Sequence, residues 1–228
     1  MSSETGEDRT LRVKDVRKAW PRADGGRRVV LDAVSFELEA GGTLCVVGGS
    51  GSGKTTLLHI LSGITAPDAG SVSLGREDLT AMSESGRDRF RARHIGYMFQ
   101  TFNLVGMLSA VENVALPLVF GGASPSAAKH RAGVLLERLS MSDRADQRPA
   151  ALSVGEQQRV ALARAVVADP WLILADEPTA SLDPRNAADA LALLESEATR
   201  TGASLVVVTH DPAVRGRYAR HLVIGDGS

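Results

Sequence analysis

The sequence predicts an α/β fold with a mainly parallel sheet, an N-terminal antiparallel β subdomain and an inserted helical subdomain. Three observations lead there. In the last third, apolar runs at 171–175, 205–209 and 220–224 alternate with helical spacing at 185–199 and a short helical piece after 210. That is the pattern of parallel strands joined by crossover helices. The first third instead holds strand-like runs at 11–16, 29–31, 34–38 and 70–74, broken by turn residues, as in a β layer leaning on a core. Between the two, helical spacing recurs at 83–94, 111–119, 127–139 and 153–168.

Residues 1–10 are polar and acidic and read as a disordered lead, without the apolar centre of a signal peptide. The run 11–16 alternates apolar and charged residues, as a half-exposed strand does. Pro21 through Gly26 supplies proline, aspartate and paired glycines, so the chain turns there. After 29–31 and 34–38, Gly41-Gly42 turns into Thr43-Leu44-Cys45-Val46-Val47, a short buried strand. Cys45, the sole cysteine, is expected to be buried in it. One thiol builds no disulfide framework and fits a reducing cytosol.

The next stretch is the most informative of the chain. Gly48-Gly49-Ser50-Gly51-Ser52-Gly53-Lys54-Thr55-Thr56 matches the phosphate loop G-x-x-x-x-G-K-[ST] between a strand and a helix that opens at Thr56. Its glycines let backbone N–H groups turn inward on phosphates, and the helix N-terminus adds partial positive charge. Lys54 is placed to reach the β- and γ-phosphates, and the Thr55 hydroxyl to take a Mg²⁺ position. A P-loop NTPase core that binds a nucleoside triphosphate follows.

Beyond the run 70–74, the helix 83–94 leads into a helical subdomain spanning approximately 88–160. Within it, 111–119 is expected to be a short helix that Pro117 interrupts. The segment 153–168, rich in Ala, Gln and Arg, is the strongest helix. The strand 171–175 then ends in Asp176-Glu177. Adjacent strand residues face opposite ways, so the two acids take different tasks. Asp176 is placed to meet Mg²⁺, directly or through water. Glu177, just past the strand, turns toward the γ-phosphate and orients the attacking water.

Composition narrows the function. With 43% hydrophobic and 23% charged residues and a net charge of −1, the chain has no basic field of the kind nucleic-acid binding exploits. Charges or prolines interrupt every apolar run before membrane-spanning length; Arg164 and Asp169 break the longest, around 160–174. Work at a membrane would require something else to hold the chain there.

At Leu152-Ser153-Val154-Gly155-Glu156-Gln157-Gln158-Arg159 the sequence resembles the nucleotide-binding subunits of ABC transporters. Their signature is usually Leu-Ser-Gly-Gly-Gln/Glu followed by Gln-Gln-Arg. The resemblance implies that residues 11–228 form a single ABC ATPase domain hydrolysing ATP with Mg²⁺. It implies a homodimer on ATP binding, head to tail, that powers an integral membrane permease subunit from the cytoplasmic face, with no nucleic-acid partner. In such dimers Ser153, Gly155 and Glu156 belong to the surface that closes over the γ-phosphate of the other copy. Ser153 is equally a helix N-cap, with Glu156 three residues on completing a capping box. Gln100 matches the glutamine that senses Mg²⁺ and water and faces the permease. Ser181-Leu182-Asp183 matches the loop that crosses the dimer interface, and His210 the switch histidine at the γ-phosphate. Trp20 stands where the family has an aromatic that stacks on adenine. His59, His94, His130 and His221 match no motif.

Two departures stand out. Val154 replaces the first glycine of the usual signature pair, a strain if that position required φ > 0. Gly49 replaces a frequent proline, which should loosen the loop. Gln100-Thr101-Phe102-Asn103-Leu104 and Val111 through Leu118 look most like the branch of lipoprotein-release and macrolide-export ATPases. The apolar residues after Gln100, namely Phe102, Leu104, Val105, Met107 and Leu108, are expected to present a permease-docking surface. The alternative reading is a soluble ABC-type ATPase acting on nucleic acid or the ribosome.

Overall fold

In the computed structural model, which describes residues 8–23, 25–180 and 182–225, the antiparallel layer forms first along the chain. Strand β1 (Leu11–Pro21) pairs antiparallel with β2 (Arg27–Leu38). Strand β3 (Thr43–Val47) passes through the glycine-rich loop into helix α1 (Lys54–Leu61). Strands β4 (Ala69–Leu74) and β5 (Glu77–Asp78) then complete a sheet of order β2-β1-β4-β5. Helix α2 (Glu84–His94) runs into β6 (Ile95–Met98), which is followed by α3 (Ala110–Phe120), α4 (Pro125–Arg138) and α5 (Val154–Val166). The chain returns through β7 (Leu172–Asp176), α6 (Pro184–Thr201), β8 (Ser204–Val208), α7 (Pro212–Arg215) and β9 (His221–Val223).

The second sheet has the order β6-β7-β8-β3-β9, with every pair parallel. Its inner strands are apolar at nearly every position because both faces are covered. Successive side chains serve different cores. Cys45, Val47, Ile173, Ala175, Leu205 and Val207 pack with the helical insertion. Leu44, Val46, Leu172, Leu174, Val206 and Val208 pack with α1 and the antiparallel layer. The free thiol of Cys45 is buried, as expected.

Several boundaries differ from the sequence reading. The runs 29–31 and 34–38 are one strand, β2, which absorbs an irregularity at Ala33 (φ 52°) opposite shifts of register in β1. β1 continues to Pro21, so Trp20 lies in a strand. Pro117 does not interrupt α3. It forfeits one backbone bond, but Ala110, Val111, Val114 and Ala115 anchor the helix in the core. The segment 88–160 is not wholly helical, since its residues 95–98 are the buried edge strand β6. Of the expected lead, residues 1–7 lie outside the described chain, whereas 8–10 are held in place. Asp8 accepts from the Thr10 amide at 3.0 Å and pairs with Arg12 at 3.0 Å, and the Thr10 carbonyl accepts from Gly75 at 2.8 Å.

One buried polar side chain shapes the loop between β6 and α3. Asn113, with 0% exposure, accepts from the Val105 amide at 2.7 Å and donates to the carbonyls of Val105, Leu108 and Ser109. It satisfies both ends of a turn that no regular ladder reaches. Replacing Asn113 with Ala is therefore expected to lower unfolding stability by about 1–3 kcal/mol. Urea titration tests this; an unchanged midpoint would remove Asn113 as the anchor.

Candidate functional site

Four loops leave the parallel sheet at the carboxyl ends of β3, β6, β7 and β8, where open α/β sheets place their ligands. The loop after β3 is shaped by close approach of the backbone. A Cβ added at Gly48 would lie 2.3 Å from the Ile224 carbonyl oxygen, and one at Gly53 would lie 2.4 Å from that of Val30, with φ 100°. Only glycine meets both demands at Gly53. Gly53 precedes α1 and supplies no side-chain cap, so first-turn amides are left for an anion. The buried Ser52 hydroxyl has no partner among the described residues. The Lys54 ammonium donates to the Gly48 and Gly49 carbonyls at 2.9 and 2.7 Å.

A hydrogen bond ties this loop to β7, with the Thr55 hydroxyl donating to Asp176 Oδ2 at 2.9 Å. Asp176 is 5% exposed, and burial pushes its carboxyl above the ordinary range while the Thr55 bond opposes the shift. Next to it, Glu177 adopts φ 46°, which turns it out of the strand alternation. Glu177 Oε1 lies 2.7 Å from His210 Nδ1, and Oε2 accepts from the His210 amide at 3.4 Å. The Glu177 side chain is 11% exposed and that of His210 is 72% exposed, so the pair reaches from the sheet to solvent. This donor set suits Mg²⁺ and a polyphosphate: a hydroxyl and a carboxylate for the metal, with amides and an ammonium for the phosphates.

Gln100 is exposed just beyond β6. Phe102 and Asn103 follow with φ 59° and 47°, two consecutive left-handed residues that are not glycine. Their carbonyls accept from the Arg164 guanidinium of α5, with 2.7 Å for the Asn103 bond. Arg164 appears in the sequence only as a charge breaking an apolar run. Its burial, which holds its pKa below the ordinary guanidinium value, is visible only in three dimensions. The expected apolar cluster divides. Phe102 is buried, Leu104 packs on the core and Leu108 is half-buried, whereas Val105 and Met107 are exposed.

At α5, Ser153 accepts from the Glu156 amide at 3.3 Å while Glu156 Oε2 accepts from the Ser153 amide at 2.8 Å, a complete capping box. Glu156 Oε1 also accepts from Arg144 at 2.7 Å, and these bonds, Arg144 first, hold its pKa near 2. One oxygen of Glu156 thus completes the cap of its own helix, and the other pairs with Arg144. Val154 is the first helical residue and has no positive φ, so the strain considered for it does not arise. A Cβ at Gly155 would meet nothing within 4 Å. Gln158, buried on the same helix, donates to the Pro178 carbonyl at 2.7 Å and ties α5 to the loop after Glu177.

Asp183 caps α6, accepting from the Arg185 and Asn186 amides; Ser181 lies outside the described residues. Among the described residues, no hydrogen bond joins Ser153, Gly155 or Asp183 to the glycine-rich loop. Trp20 does reach it: its Nε1 lies 3.4 Å from the Thr56 hydroxyl, and the Lys18 ammonium sits 5.0 Å from the ring centre. Trp20 is 42% exposed, leaving ring surface open beside the loop.

A groove of about 620 Å³ separates α2 from α3 and reaches β6 and Arg164. It adjoins the Gln100 loop through Phe99.

Comparisons with known proteins agree with this geometry. The family model described as ABC transporter matches residues 31–180. The lipoprotein-releasing system ATP-binding protein LolD of Chromohalobacter salexigens is 43% identical over 198 residues, covering 87% of this chain and 84% of that protein. The macrolide export ATP-binding/permease protein MacB of Burkholderia thailandensis is 40% identical over 217 residues, 95% of this chain but 33% of MacB. Among solved structures, the ATP-binding cassette MJ0796, as a dimer in a post-hydrolysis state bound to ADP and Pi, superposes with a TM-score of 0.86 at 33% identity over 95% of both chains.

The glycine requirement is testable by a paired substitution. Gly53→Ala introduces both a clash and a disfavoured φ and should destabilise the protein by about 1–3 kcal/mol. Gly49→Ala, where the added carbon meets nothing within 4 Å, should leave the thermal midpoint nearly unchanged. Equal effects would mean that the backbone at Gly53 is not constrained as described.

Proposed function

The chain belongs to the ABC transporter family, and on that premise we propose how its residues turn ATP over and where its permease docks. It is the ATP-binding, ATP-hydrolysing subunit of a membrane transporter, in the branch that includes lipoprotein-release and macrolide-export ATPases. The observation that supports the site assignment best is the convergence of the Thr55–Asp176 and Glu177–His210 bonds on adjoining strand ends.

Lys54 exchanges its two carbonyl partners for phosphate oxygens, and the amides of the glycine-rich loop and first helical turn hold the rest of the phosphate chain. Thr55 and Asp176 would hold Mg²⁺, which would neutralise phosphate charge and polarise the bond to be broken. Glu177 orients the attacking water and takes its proton. Its bond to His210 fixes the carboxylate while leaving the histidine exposed toward the γ-phosphate. Gln100 contributes from the fourth loop. Trp20 stacks on adenine, and Ser153 and Gly155 complete the site of a second copy, with Asp183 at the same interface. Water attacks the γ-phosphorus, and ADP and phosphate leave.

Among the described residues no helix is long and apolar enough to cross a membrane, and in this reading an integral membrane permease couples ATP turnover to transport. The groove between α2 and α3 takes a segment of the permease, on the cytoplasmic face of the membrane. Its contact with the Gln100 loop supports this reading. Purification from native membranes, with mass-spectrometric identification of a polytopic partner, tests it; a chain recovered without any such protein would reject it.

Two substitutions probe the chemistry. Glu177→Gln keeps the shape of the side chain and should retain ATP while turnover falls about 10²–10⁴-fold. ATP-dependent dimerisation measured by size-exclusion chromatography should persist, and hydrolysis at the original rate would reject the role of Glu177. Trp20→Ala should raise KM for ATP more than it lowers kcat, because ground-state binding is what it removes. ATP-induced fluorescence change should vanish with it and survive in Trp171→Phe; the reverse would exclude stacking by Trp20.

A further inference from the structure

The groove between α2 and α3 has an unbalanced charge. Three guanidinium groups line it, those of Arg89, Arg91 and Arg164, against one carboxylate, Asp88. Asp88 accepts from Arg91 Nη2 at 2.6 Å, but Arg91 Nη1 is buried with no partner among the described residues. Among the described residues Arg164 has only backbone carbonyls as partners. Arg89 is exposed and makes no ion pair or hydrogen bond among the described residues. Apart from the hydroxyls of Ser85 and Tyr97 the rest of the lining is apolar, and Phe120 is 69% exposed and Ile64 45% exposed. A buried donor without a partner is costly, and a guanidinium fork matches a carboxylate in two-point geometry.

Resting on the permease reading above, we propose that this groove selects a permease segment bearing a carboxylate flanked by apolar side chains, with the carboxylate paired to Arg89 and Arg91. The apolar flanks cover Phe120 and Ile64. The carboxylate completes the half-satisfied Arg91 and offsets the charge excess left by Arg89 and Arg164. An uncharged apolar segment would leave Arg91 Nη1 unpaired. A basic segment would add its charge to three guanidinium groups already lining the groove. Arg164 also holds the Phe102 and Asn103 carbonyls, so charge arriving in the groove acts on the residue that sets the loop after Gln100. The site thereby reads the partner's chemistry and adjoins the ATPase centre through a single side chain.

The test uses the permease that co-purifies with the unaltered chain. Arg89→Glu combined with Arg91→Glu should cut its recovery at least tenfold while ATP hydrolysis by the isolated chain stays within twofold. Arg89→Ala combined with Arg91→Ala serves if the reversed pair fails to fold. Exchanging acidic residues in the permease's cytoplasmic segments for Arg, one at a time, should restore recovery with the Glu variants at one position and weaken it with the unaltered chain at the same position. Undiminished recovery with either folded variant, or loss that no exchange restores, would overturn the proposal while leaving the permease reading intact. Absence of any permease with the unaltered chain would defeat that reading and this proposal with it.

Discussion

Everything in the candidate site depends on the parallel pairing of β7, β8 and β3. Parallel strands end on the same side of a sheet, so three loops distant in sequence emerge together. Burial on both faces holds the strands in fixed register, from Thr43 opposite Leu205 to Asp176 opposite Val208. With that register set, the Thr55 hydroxyl reaches Asp176, and Glu177 reaches His210. A slip of one residue would exchange the two cores and send Asp176 to the opposite face.

The electrostatics follow from where each acid sits relative to the sheet. Asp176 is the last strand residue and buried, so its carboxyl is raised and gains from any cation placed against it. Glu177, 11% exposed, is turned by its left-handed backbone to meet a histidine that faces solvent. Two adjacent acids thus acquire different environments from one change in φ. The cost of that conformation is borne by the surrounding packing, a common arrangement at functional sites.

The helical insertion is fastened to the sheet by a few polar side chains. Gln158 grips the loop after Glu177, Arg164 grips the loop after Gln100, and Asn113 closes the turn that leads into α3. All three satisfy backbone groups that no helix or strand reaches. Movement of α5, whose first turn carries Ser153, is therefore felt at two of the four site loops. The groove that collects Arg89, Arg91 and Arg164 lies on the same connection, so partner contact and nucleotide chemistry share physical links rather than mere proximity.

The sequence by itself determined whatever rests on local backbone chemistry. The glycine-rich loop, the capping box at Ser153 and Glu156, the apolar strands and the acids after β7 were all legible there, because neighbours along the chain dictate each of them. The resemblance at 152–159 extended this to the family. Tertiary structure decided the rest. Ala33 joins two apparent strands because β1 holds both halves, and α3 survives Pro117 because its other face is buried. Phe102 is buried and Leu104 packs against the core, in a loop whose Phe102 and Asn103 carbonyls are held by Arg164, 62 and 61 positions away. The Glu177–His210 pair and the clamp made by Arg164 join residues separated by many others, and no local pattern encodes such distances. Side chains far apart in sequence acquire chemistry only when a common core places them together.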